Sequence, residues 1–157
     1  MDFIKWQAQQ NKERQNQAQY YDFAQSLESA NWPGFAAWMR KAAADELIHS
    51  GKFADYLISR NQTPVCTALD EPAHLDGNDP IPFFQAALDL ERANTASILD
   101  LLAESDGQSA DFLYSWTIAE QTSSERELID ALLELKRVGP DGLLVLDREY
   151  AEKAAGG

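Results

Sequence analysis

Apolar residues recur at helical spacing through most of the chain, and the recurrence stops at a few punctuated points. Phe35, Trp38, Met39, Ala42, Leu47, Phe53, Tyr56 and Leu57 keep roughly to one helical stripe. The segment before them ends at Asn31-Trp32-Pro33-Gly34, where both helix-ending residue types meet. Pro64, Pro72, Gly77, Pro80 and Pro82 follow, and no helix runs through that stretch. Pro82 suits the first turn of a third helix, which ends before Ser105-Asp106-Gly107-Gln108-Ser109. A fourth stops at Gly139-Pro140, and Leu143-Leu144-Val145-Leu146 opens a short apolar stretch before a charged tail. The pattern predicts an all-α chain, one domain over 1–157, with helices at approximately 3–30, 34–61, 82–104, 110–138 and 141–153.

The connections set the topology. Short turns join the first helix to the second and the third to the fourth, so each pair is antiparallel. The linker over 61–82 can span a bundle's full length at ~3.3 Å per extended residue. A loop that long needs a structural reason, and a four-helix bundle with one long crossover supplies it.

Composition narrows the partners. The chain has 157 residues, with Lys+Arg 13 against Asp+Glu 26 and a net charge of −13. This balance argues against nucleic acid and membranes as partners, because phosphate-rich surfaces select basic patches; cations are the natural small ligand. The single cysteine, Cys66, excludes a disulfide framework or a multi-cysteine metal site within one chain. The start, Met1-Asp2-Phe3-Ile4-Lys5-Trp6, lacks the order of a secretory signal. No apolar run approaches the ~20 residues of a membrane span. The expectation is a reduced, cytoplasmic protein.

Polar residues fall where a bundle core is expected. Glu46 and His49 lie three apart, on one helix face, and can offer a carboxylate and an imidazole to one ion. Glu13 and Tyr20 lie on the first helix, Glu91 on the third, and Glu120-Gln121 on the fourth. A carboxylate from each helix plus one histidine is what a buried two-metal site requires for neutrality. Oxygen donors with one imidazole suit iron or manganese better than copper(I). Each residue also has a plain alternative. Glu13 sits in the polar run Gln9-Gln10-Asn11-Lys12-Glu13-Arg14-Gln15-Asn16-Gln17 and can be solvated, and Tyr20 can simply pack in the core. The first helix is unusual in its Gln and Asn content, with few apolar residues before Ala18, so its first half is expected to be less stable.

The stretches Asn11-Lys12-Glu13, Trp32-Pro33-Gly34-Phe35-Ala36-Ala37-Trp38, Asp45-Glu46-x-x-His49, Phe53-Ala54-Asp55-Tyr56-Leu57, Leu90-Glu91, Phe112-Leu113-x-x-Trp116, Glu120-Gln121 and Leu143-Leu144-Val145-Leu146-Asp147-Arg148-Glu149 together resemble the non-haem bacterial ferritins over nearly the whole chain. The resemblance implies a four-helix bundle with one long crossover and a short fifth C-terminal helix. It also implies assembly into a homo-oligomeric cage of about 24 subunits that stores iron. Carried over by position, Glu13, Glu46 and His49 hold the first iron, Glu46 bridges to the second, and Glu91 completes it. Gln121 lies near the second iron, and Tyr20 stands beside the centre as a hydrogen-bond donor and a source of an electron. The implied partners are ferrous iron and dioxygen or peroxide, and the implied activity is that of a ferroxidase.

The departures are specific. Many bacterial members carry further glutamates after Glu-Gln that build a third iron site, whereas this chain reads Glu120-Gln121-Thr122-Ser123-Ser124. The second site should be weaker, and Asp45 and Glu120 are the remaining candidates for a third. Ser124 is similar to the small residue of animal heavy chains, so oxidation need not be lost. Asp111 matches an acidic position of the iron-entry pore, or is a helix-start carboxylate; Tyr114 stands where the second acidic pore residue is expected. No haem is expected, because the haem methionine's place is taken by Leu47. A storage subunit with a weakened centre, a rubrerythrin-like peroxidase and a metal-free helical module remain as rivals. Cys66 and His74 fall in the crossover and are read as structural or incidental.

Overall fold

The computed structural model describes residues 1–156, and its elements follow the hydrophobic pattern closely. Helix α1 spans Phe3–Ser29, α2 Pro33–Ser59 and α3 Ile81–Ala103. The first two end alike. Asn31 and Asn61 adopt positive φ of 64° and 56°, a conformation that asparagine tolerates better than most residues. Trp32 N–H then reaches back to the Leu27 carbonyl, and Gln62 N–H to that of Leu57, both at 2.9 Å. These closures satisfy carbonyls that a helix end otherwise leaves free.

The fourth helix begins earlier than expected. Asp106 accepts from Ser109 N–H at 2.9 Å and so caps α4, Gly107–Phe112. Gly107, Gln108 and Ser109 therefore lie inside a helix rather than in the expected turn. A π-helical stretch, Leu113–Thr117, interrupts the α geometry before α5, Ile118–Gly156. Such wide turns rotate every following side chain relative to a uniform helix, and sequence periodicity does not announce them.

The separate fifth helix expected over 141–153 is not seen. Helix α5 extends past Pro140 to Gly156 as two helical arms that meet at a kink at Gly139, a non-helical residue at φ 65°, ψ −179°. The bend there is sharp. Lys153 Nζ lies 3.8 Å from Glu134 Oε2, whereas a straight helix would separate the two residues by roughly 28 Å at ~1.5 Å per residue. Glycine accepts that backbone conformation without a Cβ clash, and Pro140 has no N–H to leave unpaired. The arm beyond Gly139 docks on the start of α2, burying Leu146 and Tyr150 with Phe35 and Phe84. Asp147 accepts from Phe35 N–H at 2.8 Å, supplying the side-chain cap that Trp32 does not provide. Gly34 permits the approach, because a Cβ there would fall 1.6 Å from the Asp147 carbonyl oxygen.

Helix α1 packs chiefly on α2, and α5 packs on both α2 and α3. The crossover lies along α1 and explains that helix's amide content. Gln19 donates to the Ala73 carbonyl and accepts from Ala73 N–H, both at 2.8 Å. Gln15 makes the same pair with Asp70, and Gln7 makes it with Val65. Asn11 donates to the Val65 carbonyl and accepts from Thr67 N–H. Positions 7, 11, 15 and 19 form one stripe four residues apart on the helix. Each amide has both a donor and an acceptor and so can pair a strand-like backbone as another strand would. The polar first half of α1, expected to be weak, is the surface that holds the crossover down.

The core has two apolar parts. One centres on Phe23, Leu27, Phe35, Met39, Phe83, Phe84, Leu128 and Leu135. The other centres on Trp6, Phe53, Leu57, Ile98, Leu101 and Leu113. The buried polar residues of α1, α2, α3 and α5 form a belt between them, and that belt positions the site.

Two substitutions test these devices by urea denaturation. Gln19→Leu keeps the volume but removes both crossover bonds, and should cost about 1–2 kcal/mol. Gly34→Ala should cost about 1–3 kcal/mol, because a backbone carbonyl rather than a flexible side chain must move.

Candidate metal centre

The belt is built by helical spacing. On α1, Gln9, Glu13, Asn16 and Tyr20 recur every three or four residues and are all buried. Helix α2 supplies Glu46 and His49 one turn apart. Glu91 and Asn94 do the same on α3, and Gln121 enters from α5. Glu13, Glu46 and Glu91 expose only 1%, 3% and 2% of their surface. This rules out the solvated reading of Glu13, and carboxylates are almost never this buried without a partner of opposite charge.

Glu13, Glu46 and His49 converge, with one ligand atom from each within 4.8 Å of the others. His49 Nδ1 lies 3.7 Å from Glu46 Oε1 and 4.0 Å from Glu13 Oε2. On its other side, His49 Nε2 lies 3.8 Å from Glu120 Oε2. Glu91 approaches from α3. Tyr20 donates to Glu91 Oε1 at 2.6 Å, and Gln121 Nε2 donates to Glu91 Oε2 at 3.1 Å. A cavity of about 60 Å³ opens here, with Tyr20, Glu46, His49, Glu91, Glu120 and Ser124 in its wall.

The electrostatics ask for a cation. Burial, then the hydrogen bond and charge of Glu46, push the Glu13 carboxyl well above its usual range. Glu46 is raised to about 7, first by burial and also by the charge of Glu91. Glu91 is raised by burial, which outweighs its bonds from Tyr20 and Gln121. Burial and the neighbouring Glu91 likewise push the Tyr20 phenol up, so it stays a donor. Glu46 Oε2 and Asn16 Nδ2 are buried without a hydrogen-bond partner among the described residues. An unpaired buried carboxylate oxygen on a residue that converges with Glu13 and His49 fits a divalent cation with hard-oxygen preference.

The remaining candidates spread outward. Asp45 is half-buried and turned to Lys41 Nζ at 3.4 Å. Glu120 is half-exposed but reaches His49, whereas Ser123 is exposed. Asp111 is exposed on α4, apart from the centre, and Asp106 rather than Asp111 caps that helix. Glu125, one residue past Ser124, points away and accepts from Thr95 Oγ1 at 2.6 Å. His74 sits on the surface between Asp22 and Asp76, 3.0 Å from each, and ties the crossover to α1. The sequence reading missed Gln9, Asn16 and Asn94 as interior residues. The spacing Gln9, Glu13, Asn16, Tyr20 was the available signal, masked by the surrounding Gln and Asn of the crossover stripe.

Residues 6–138 match the ferritin-like domain model. The chain belongs to the ferritin family. It is 32% identical over 140 residues to the soma ferritin of Lymnaea stagnalis, covering 86% of this chain and 78% of that protein. It is 27% identical to the bacterial non-heme ferritin of Bacteroides fragilis, over 85% and 86% of the two chains. Among solved structures, the open pore ferritin of the archaeon Archaeoglobus fulgidus superposes with a TM-score of 0.88 at 28% identity, covering 94% of each chain. In this ferritin the buried Glu13, Glu46 and His49 form a metal-binding group of the kind a ferroxidase site needs. No helix among the described residues is long and apolar enough to cross a membrane.

The raised Glu46 pKa has a definite sign. Its folded value, about 7, exceeds the ordinary 4.5 of the unfolded chain, so the folded state binds the proton more tightly. The stability this contributes is whole below about pH 4.5 and fades as pH rises through 7. His74, also raised, by the hydrogen bond to Asp22 first, contributes in the same direction. Metal-free protein should therefore unfold at lower urea at pH 8 than at pH 6, and Glu46→Gln should flatten that difference in part.

Proposed function

We propose that this ferritin oxidises ferrous iron at a paired site in the belt and stores the ferric product as oxyhydroxide inside a cage of about 24 copies. The observation that carries the reading is the convergence of Glu13, Glu46 and His49 in the bundle interior, with Glu91 facing them across it. Iron is the substrate. Glu13 and His49 hold one ferrous ion, Glu46 bridges, and Glu91 holds the second, with Gln121 beside it. Binding displaces the proton that burial keeps on the Glu13–Glu46 pair, so uptake of iron releases acid.

Each ferrous ion gives up one electron, and dioxygen takes two electrons and two protons to become hydrogen peroxide; with peroxide as oxidant, its O–O bond breaks and two electrons and two protons complete two waters. Hydrolysis of the ferric ions to oxyhydroxide releases further protons. Tyr20 is in reach of Glu91 and is placed to donate a hydrogen bond, and an electron if one is lacking. Glu120 steadies His49 from behind, as outer carboxylates do for ligating imidazoles. Asp111, exposed on α4, is assigned to the entry route, with Asp45 and Glu120 as the residue of a third site. The exposed, unpaired Cys66 suits the reducing cytoplasm, where we place the protein.

A second reading is a storage subunit with a slow centre, favoured by one observation. Ser124 in the cavity wall and exposed Ser123 offer hydroxyls where carboxylates would tighten the second ion. A rubrerythrin-like peroxidase is less favoured, because Glu120-x-x-Ser123 leaves a single Glu-x-x-His. The metal-free helical module requires solvated carboxylates, which burial of Glu13, Glu46 and Glu91 opposes.

Aerobic addition of ferrous iron, followed by near-ultraviolet absorbance and gel filtration, tests the proposal. The expected result is a cage-sized particle whose absorbance rises well above the protein-free rate. Glu46→Ala should lose at least about 100-fold in initial rate while leaving particle size unchanged. A monomer that oxidises no faster than buffer would overturn the storage function; a cage with slow oxidation would select the second reading.

A further inference from the structure

The belt contains carboxamides that the oxidation chemistry leaves unused. Asn94 is wholly buried. Its Nδ2 lies 3.2 Å from Glu13 Oε1, 3.4 Å from Glu13 Oε2 and 3.4 Å from Gln121 Oε1. Its carbonyl accepts from Gln9 Nε2 at 2.8 Å. That same Gln9 nitrogen donates to Glu13 Oε1 at 2.7 Å, and Gln9 Oε1 accepts from Ser97 Oγ at 2.7 Å. A hydrogen-bonded file thus runs from α3 to α1, and Asn94 extends it to α5.

We propose that Gln9 and Asn94 are positioning residues that determine which oxygen Glu13 gives to a metal ion. Gln9 Nε2 binds Oε1 alone, and Asn94 Nδ2, though shared between the two oxygens, lies nearer Oε1, whereas Oε2 faces His49 Nδ1 at 4.0 Å. Turning Glu13 to chelate through both oxygens would break two charge-assisted hydrogen bonds inside the protein. Glu13 therefore binds through Oε2 alone, on the side of Glu46 and His49, and a coordination position stays open for the oxidant. Asn94 also sets the second half of the centre. By holding Gln121 Oε1 it leaves Gln121 Nε2 aimed at Glu91. One buried side chain thereby links the ligand arms of both metal positions. The inference rests on the metal-centre reading above.

The test uses Co(II) as probe on the assembled protein, with binding followed by calorimetry and coordination by the visible absorption band. Asn94→Leu and Gln9→Leu each replace an amide by an apolar group of similar size, and circular dichroism reports folding. With Glu13 freed to chelate, the coordination number rises, so the Co(II) band should lose intensity; affinity should fall about 10-fold or more. A merely structural role would leave the band unchanged. Wild-type band and affinity in both variants overturn the proposal. If Asn94→Leu does not fold, Gln9→Leu decides alone, because it removes the shorter of the two bonds to Oε1. Wild-type protein that binds no Co(II), with Glu46→Ala behaving identically, would instead overturn the metal-centre reading itself.

Discussion

Three buried carboxylates around one imidazole are the constraint on which the rest of the structure depends. Glu13, Glu46 and Glu91 sit where burial opposes their charge, and in the absence of a cation the folded protein answers by holding protons. A chain that keeps such groups in its core gives up apolar contact at mid-height. The two hydrophobic clusters on either side must then carry the packing. They are rich in aromatics that meet edge to face or tilted, among them Phe23–Phe83, Phe35–Phe84 and Trp6–Phe53, contacts that add to burial alone.

The helices must also be held at fixed separation so that four ligand arms meet. Local closures set the α1–α2 hairpin, through Asn31 and the Leu27 carbonyl. At the same end of that hairpin, the arm after Gly139 braces the start of α2 through Asp147. The crossover is fastened differently, by side-chain amides of α1 pairing with its backbone. This solves a problem of exposed loops, whose peptide groups need partners but whose sequence offers little apolar surface. It also separates the two faces of α1 by role: one stripe of amides and acids turns inward to the metal centre, and another turns outward to the crossover.

The negative charge that first pointed to cations divides in the same way. Only a few of the acidic groups are interior. Others serve as caps or clamps: Asp106 at α4, Asp147 at α2, and Asp22 with Asp76 around His74. The Arg60–Asp106 pair, with its two guanidinium contacts, joins the end of α2 to the start of α4. The count of charges alone does not distinguish these uses, because a carboxylate's work depends on what lies opposite it.

The sequence by itself determined the first three long helices, the crossover between the second and third, and the residues capable of ligation. Helical periodicity and Pro/Gly punctuation are local properties, and Glu-x-x-His is a spacing within one turn. It did not reveal the π-helical stretch at Leu113–Thr117, which apolar periodicity does not announce, or the early start of α4, whose Asp106 cap lies in a segment that reads as a turn. Nor did it separate inward from crossover-facing amides on α1, where neighbouring Gln and Asn look alike and differ only by their turn around the axis. Tertiary structure alone decided that Glu13 is buried, that Asn94 and Gln9 hydrogen-bond its carboxylate, and that the C-terminal arm folds back at Gly139 onto Gly34. Each of those facts joins residues far apart in the chain, and contacts of that kind exist only once the helices have packed.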